Sequence, residues 1–223
     1  MSVRSHGPAV APTVIVLHGG PGAPGSATGL ARAIADPWCV LEPWQSGDTV
    51  AKHVADLHAL ARARCPRPVL VGHSWGAMLA LAYAAKHPVR AVAMVCSGTF
   101  DLASRAEFKR LVAAGREYDV DPIGREVHEF DAHENEATWA DMLRLQADGT
   151  YPATFAAIEA PVLMLHGAED PHPGPMIRDS LLPHLRQLEY REFARCGHYP
   201  WLERHARDGF IEQLRTWLAA LSG

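Results

Sequence analysis

Apolar and polar positions follow two rhythms along this chain. Short, mostly apolar runs at Thr13–Leu17, Val69–Val71, Ala91–Cys96 and Pro161–Leu165 predict strands buried on both faces. Trp38–Leu41 and Leu188–Phe193 add two more strand candidates. Between them the period lengthens. Val50, Val54, Leu57, Leu60 and Ala61 recur at three- and four-residue steps, which predicts a helix over Asp48–Arg64 capped by Asp48 or Thr49. Helical patterns also cover Ser26–Ala35, with a serine cap, Trp75–Lys86 and Arg204–Leu218. Strand and helix alternation of this kind predicts an α/β fold: a mostly parallel sheet of about six strands with helices on both faces. Only about a dozen residues precede the first predicted strand, so no antiparallel edge is expected there.

The alternation breaks between Ser97 and Ala160, where charged helical patterns cover Ala103–Arg116 and Ala137–Ala147. About 60 residues is long for one crossover, given the usual connection lengths. The expected organisation is therefore a core of residues 1–97 and 160–223, with residues 98–159 inserted as a small helical cap. A pair of ordinary crossover helices is the plainer alternative.

Chemistry concentrates where predicted strands end. Val69–Val71 runs into Gly72-His73-Ser74-Trp75-Gly76, a G-x-S-x-G sequence between strand and helix. In that context the serine sits in a tight turn with Oγ exposed, and the glycines let the helix pack against the strand it has left. A serine that merely caps the helix would need no partners elsewhere. Partners are present after three other strand candidates: His18-Gly19-Gly20-Pro21-Gly22, His166-Gly167-Ala168-Glu169-Asp170-Pro171 and Cys196-Gly197-His198-Tyr199-Pro200.

These motifs resemble the α/β-hydrolase superfamily. The pairing of His-Gly-Gly-Pro-Gly with Gly-His-Ser-Trp-Gly is most similar to the branch that contains proline iminopeptidases, and the resemblance runs from Thr13 to about Leu218. It implies Ser74 as nucleophile, His198 as general base and Asp170 as the acid that orients it, in the family's chain order. Asp101, after the preceding strand, is the competing acid. Backbone N–H groups of Gly20 and Trp75 would form the oxyanion hole, because Pro21 has no N–H to give. The resemblance also implies that the 98–159 insertion covers the site. There Phe108, Trp139 and Met142, with Trp44 and Trp75, are expected to border an apolar substrate cleft. His18 and His166 are expected to support backbone turns, and His73 to point away from the cleft.

Substrate class stays open. Proline iminopeptidases bind a free amino terminus through cap carboxylates, and Glu126, Glu129, Asp131, Glu134 and Glu136 are available, although a solvated helix face explains them equally well. Residues Glu42–Gly47 differ from the Asp-Gln-Arg-Gly segment usual in that branch. A carboxylesterase or amidase acting on a small molecule is the leading expectation, with an iminopeptidase-like enzyme and a ligand-binding protein that does not turn over as alternatives.

Composition narrows the partners. The 223 residues carry 21 basic and 25 acidic side chains, a net charge of −4, with no basic stripe, so nucleic acid is not expected. No apolar run approaches the roughly 18 residues of a spanning helix, and the N-terminus lacks the pattern of a secretory signal. Cys39, Cys65, Cys96 and Cys196 have no metal-like spacing and suit reduced thiols in a cytoplasmic protein. No cofactor, metal or membrane partner is expected, and the oligomeric state is not legible.

Overall fold

The computed structural model describes residues 1–11, 13–114 and 130–221. Its strands are β1 (Val3–His6), β2 (Val14–Leu17), β3 (Val40–Pro43), β4 (Val69–His73), β5 (Ala91–Val95), β6 (Val162–Gly167) and β7 (Leu188–Phe193). Its helices are α1 (Thr28–Ile34), α2 (Val50–Arg64), α3 (Trp75–Ala84), α4 (Leu102–Ala113), α5 (Ala132–Ala147), α6 (Gly174–Leu181) and α7 (Arg207–Ala220). One seven-stranded sheet runs in the order β1-β3-β2-β4-β5-β6-β7. All its neighbours are parallel except β1 and β3.

The inner strands are apolar throughout because successive side chains serve opposite cores. Ile15, Leu17, Leu70, Val92, Met94, Val162 and Met164 pack on one face with α2, α3 and α6. Val14, Val16, Val69, Val71, Ala93, Val95, Leu163 and Leu165 pack on the other with α1 and α7. The edge strand β7 is more polar: Glu189 and Glu192 are exposed and only Phe193 is buried, as suits an unpaired strand edge.

Three expectations change. The sheet has seven strands because β1 does form an antiparallel edge, with Val3 opposite Pro43 and His6 opposite Val40. Its Val-Arg-Ser-His sequence has no apolar period, so pairing through the backbone left no signal in the pattern. His6 Nε2 also meets the buried Glu42 carboxylate at 2.7 Å, and Thr28 Oγ1 donates to the other Glu42 oxygen at 2.7 Å. Helix α1 starts at Thr28 without a side-chain cap, so Ser26 does not cap it. Helix α6 escaped the sequence pattern because it is only eight residues long and opens with Gly174-Pro175. On α2, Thr49 is the cap, accepting from Lys52 N.

Helices α4 and α5 come from the stretch between β5 and β6. Glu126, Glu129 and the C-terminal end of the predicted 103–116 helix lie outside the described residues. Helix α5 is tied to the core at several points: Val50 N donates to Asp141 at 2.9 Å, Thr138 Oγ1 donates to Gly47 O at 3.0 Å, and Asp131 N donates to Gly22 O at 2.9 Å.

Candidate active site

Every element of the site sits at the carboxyl end of a parallel strand, where α/β sheets place their ligands. Between β4 and α3, Ser74 has φ +53° and ψ −116°, a conformation costing about 1–3 kcal/mol for a non-glycine residue. Its flanks explain the motif. A Cβ at Gly72 would fall on the Gly76 carbonyl, and one at Gly76 would fall on the Leu17 carbonyl. Trp75 N–H is the first of α3 and, like the other first-turn donors, has no acceptor within its helix.

The turn after β2 faces this elbow. Gly20 has φ +113° and Gly22 φ +75°, and the Gly20–Pro21 peptide is cis. His18 is buried, and burial lowers its pKa to about 4, so the ring is neutral. Its Nδ1–H donates to Gly19 O at 2.7 Å, while Nε2 accepts from Gln45 N at 3.0 Å. Trp75 Nε1 donates to Gln45 Oε1 at 3.1 Å, which ties the start of α3 to the turn after β2 through Gln45. From α5, Asn135 Nδ2 donates to Pro21 O at 2.8 Å.

Asp170 and His198, the sequence candidates for acid and base, follow β6 and β7. Asp170 Oδ2 accepts from His198 Nδ1 at 2.8 Å, and Asp170 Oδ1 accepts from His172 N and Nδ1, both at 2.9 Å. His166 Nε2 donates to His172 O at 2.8 Å and lies 3.5 Å from Asp170 Oδ2. Burial alone would raise the Asp170 pKa. The neighbouring His198, the hydrogen bonds from His172 and His198, and His166 outweigh it and hold the carboxyl well below its usual range. Asp101 is engaged elsewhere: it caps α4, accepting from Ser104 N at 2.9 Å. Glu169 is exposed.

Ser74 and His198 line one cavity of about 260 Å³ with Gly19, Gly20, Phe130 and Tyr199. The structure thus brings Ser74, His198, Asp170 and the Gly20 turn together. A second cavity of about 280 Å³ is lined by Phe108, Trp139, Leu143 and His172. Three expected cleft residues are elsewhere. Met142 is fully buried in the core, because its position on α5 faces inward. Trp44 lines a separate space with Gln45, Phe130 and Glu134, and its ring lies under the Arg4 guanidinium at 4.5 Å. Trp75 is fully buried between His53 and Trp139, so its side chain does not border the cleft.

Two residues were not assigned a role in the site from sequence. His73, expected to point away, packs against the His198 ring at 4.7 Å, and its Nε2–H donates to His198 O at 2.8 Å. Strand alternation sends it to the same face as Val71, under the loop carrying Cys196 and Trp201. Burial and the adjacent His198 push its pKa far down, so it is a neutral donor. His172 stacks on His198 at 4.7 Å and holds Asp170. The aspartate accepting from the backbone two residues on is a signal legible in Asp170-Pro171-His172.

A sequence profile of the alpha/beta hydrolase family matches residues 5–213. The chain belongs to the alpha/beta hydrolase family. Among curated proteins it is similar to a proline iminopeptidase of Lactobacillus crispatus (strain ST1), 25% identical over 74% of this chain and 70% of that protein. Among solved structures it is similar to a thermophilic esterase from Thermogutta terrifontis (TM-score 0.72, 16% identity, 99% of this chain and 93% of that one). It is also similar to a Paleococcus ferrophilus monoacylglycerol lipase (TM-score 0.68, 18% identity, 99% and 98% covered). At these identities the structural likeness speaks to the fold.

Within this hydrolase fold, Cys96, Asp170 and His198 bring potential metal-ligand atoms within 4.8 Å of one another. Asp170 and His198 are already bonded to each other, and burial together with the Asp170 charge raises the Cys96 thiol pKa well above its usual value, which disfavours the ligating thiolate. All four cysteines are buried and free. No helix among the described residues is long and apolar enough to cross a membrane.

Proposed function

We propose that this chain is a serine hydrolase that cleaves small-molecule esters or amides through an acyl-enzyme. The observation that carries the reading is the Asp170–His198 bond of 2.8 Å beside a cavity that His198 shares with Ser74. Hydrolase family membership and esterase, lipase and iminopeptidase neighbours support the class.

In this reading Asp170 fixes the His198 tautomer with Nδ1 protonated, leaving Nε2 to take the Ser74 proton as Oγ attacks the carbonyl carbon. The imidazolium formed is stabilised by the buried carboxylate. Trp75 N–H and Gly20 N–H receive the oxyanion, each such donor being worth about 3 kcal/mol of barrier. His198 then protonates the leaving group, and water repeats the sequence to release the acid. Helices α4 and α5 act as the cap over this cleft.

The test is multiple turnover of a p-nitrophenyl ester by the wild type and by Ser74→Ala. The variant removes one oxygen and is expected to be folded and inactive. Wild-type-like turnover by it refutes the mechanism. A protein that captures one equivalent and stops is a ligand sensor instead.

A second reading, an aminopeptidase, is favoured by Glu134. This cap carboxylate is 8% exposed and lies 3.8 Å from His53 Nε2. Burial, then the Asp131 charge, pushes its pKa up to about 7. An ammonium group placed there would be welcomed. Against it, Glu134 lines the space beside Trp44, not the cavity holding Ser74. A preference for free prolyl or alanyl p-nitroanilide over its N-acetylated form would favour this second reading.

A further inference from the structure

The cavity beside the base carries a charge pattern that its apolar walls do not explain. Phe108, Trp139 and Leu143 make the walls, and His172 closes the end toward the triad, stacked on Phe108 at 4.1 Å and on His198 at 4.7 Å. One ring therefore separates this cavity from the catalytic base. Arg105 and Lys109 also line it. On α4 Arg105 stands three residues before Phe108 and four before Lys109, which places it beside both on the helix surface.

Like charges at this spacing repel, so their placement on the cavity face costs stability unless something offsets it. No carboxylate lines the cavity among the described residues. Neither cation has an ion-pair partner among those residues, whereas the next basic residue, Arg110, is locked onto Glu107 with Nε donating at 2.7 Å. Their stems add apolar surface to the rim while the charged heads stay hydrated. At about 280 Å³ the space falls just below the about 300–1,000 Å³ of drug-sized pockets, which fits a short chain.

We propose that this cavity binds the arm of the substrate remote from the scissile bond, and that this arm is a short apolar chain ending in a carboxylate. The chain packs between Phe108 and Trp139, and the carboxylate reaches Arg105 and Lys109. That the bound molecule is a substrate rests on the serine-hydrolase reading, but the binding site does not. This deepens that reading by naming a class: esters or amides in which one side carries a terminal acid.

The test compares octanoate with 1-octanol, equal in chain length and different in end group. Each is titrated calorimetrically into Ser74→Ala protein and assayed as an inhibitor of p-nitrophenyl acetate hydrolysis by the wild type. Octanoate is expected to bind about tenfold tighter than octanol, the size of one to two partly exposed ion pairs. That preference should shrink with added salt and vanish in Arg105→Gln/Lys109→Gln. Lys109→Glu, a milder change of one exposed residue, should weaken octanoate binding and leave the melting temperature in place. Equal binding of the two ligands, or a preference that survives the double substitution, overturns the proposal. A carboxylate preference in a protein without ester turnover would instead overturn the serine-hydrolase reading alone.

Discussion

Two halves of the candidate site, the Asp170–His198 pair and the Gly20 turn, are held by different means. Asp170, His172 and His198 stand on loops that leave adjacent strands of the sheet, β6 and β7, and His166 supports them from the end of β6. The bonds among these four residues span at most 28 positions, and His73 adds a donor to His198 O from 125 positions away at the end of β4. The turn after β2 has one tie of similar span, Gln45 N to His18 across 27 positions, and one from the inserted segment, Asn135 Nδ2 to Pro21 O across 114. One half is pre-organised by the sheet. The other depends on a helix from the inserted segment being docked.

That contrast predicts different failures when each half is cut. The largest effect belongs to Asp170→Asn, which keeps the shape but favours the wrong His198 tautomer, and kcat should fall by about ten-thousand-fold. Stability gives an independent readout. A carboxyl whose folded pKa is depressed contributes stability that is present above its unfolded pKa and lost as pH falls toward the folded one. The wild type should therefore melt above Asp170→Asn near neutral pH, and the gap should close as the solution is acidified below about pH 4. Activity retained by Asp170→Asn but lost in Asp101→Asn would move the acid to Asp101, against its use as the α4 cap.

Asn135→Asp attacks the other half. It is isosteric and replaces the donor to Pro21 O with a carboxylate that cannot donate. A part-buried hydrogen bond of this kind is worth about 1 kcal/mol. If the clamp sets the Gly20 N–H, kcat should drop about tenfold while KM holds, because the oxyanion forms only in the transition state. A variant that loses melting temperature but keeps kcat would make Asn135 a structural tie only.

The same division decides what the sequence made legible. The inner strands were readable because alternate residues feed two cores, and the elbow was readable because its glycines are forced by close backbone approaches. Asp170 is marked by the apolar run before it, and His198 by its place between a predicted strand and the terminal helix. β1 was not, since a four-residue polar edge pairs through its backbone alone. The expected cleft walls do not share one cavity with Ser74. Phe108 and Trp139 share one cavity, but a helical period cannot tell which side of α5 faces the core and which the cleft, so Met142 was placed wrongly. The Asn135–Pro21 tie had no sequence signal, because nothing local predicts where an inserted helix docks.

The smallest expected effect tests how α5 is docked without touching either half's chemistry. Glu134 and His53 face each other across α5 and α2 at 3.8 Å, with Thr138 bonded to His53 Nε2 at 3.1 Å. Burial lowers the His53 pKa to about 4, so at neutral pH it gives Glu134 no full charge. Glu134 is therefore a carboxylate held in a poorly compensated place, with its folded pKa up at about 7. For a raised acid the sign reverses. Its stabilising contribution is complete below the unfolded value of about 4.5 and is lost as pH rises to about 7. Glu134→Gln carries no charge to bury. It should melt close to the wild type at pH 4 and a few degrees above it at pH 8, read by thermal denaturation across that range. An equal offset at both pH values would mean that Glu134 is ionised without penalty, and that α5 sits on the core less tightly than its hydrogen bonds indicate.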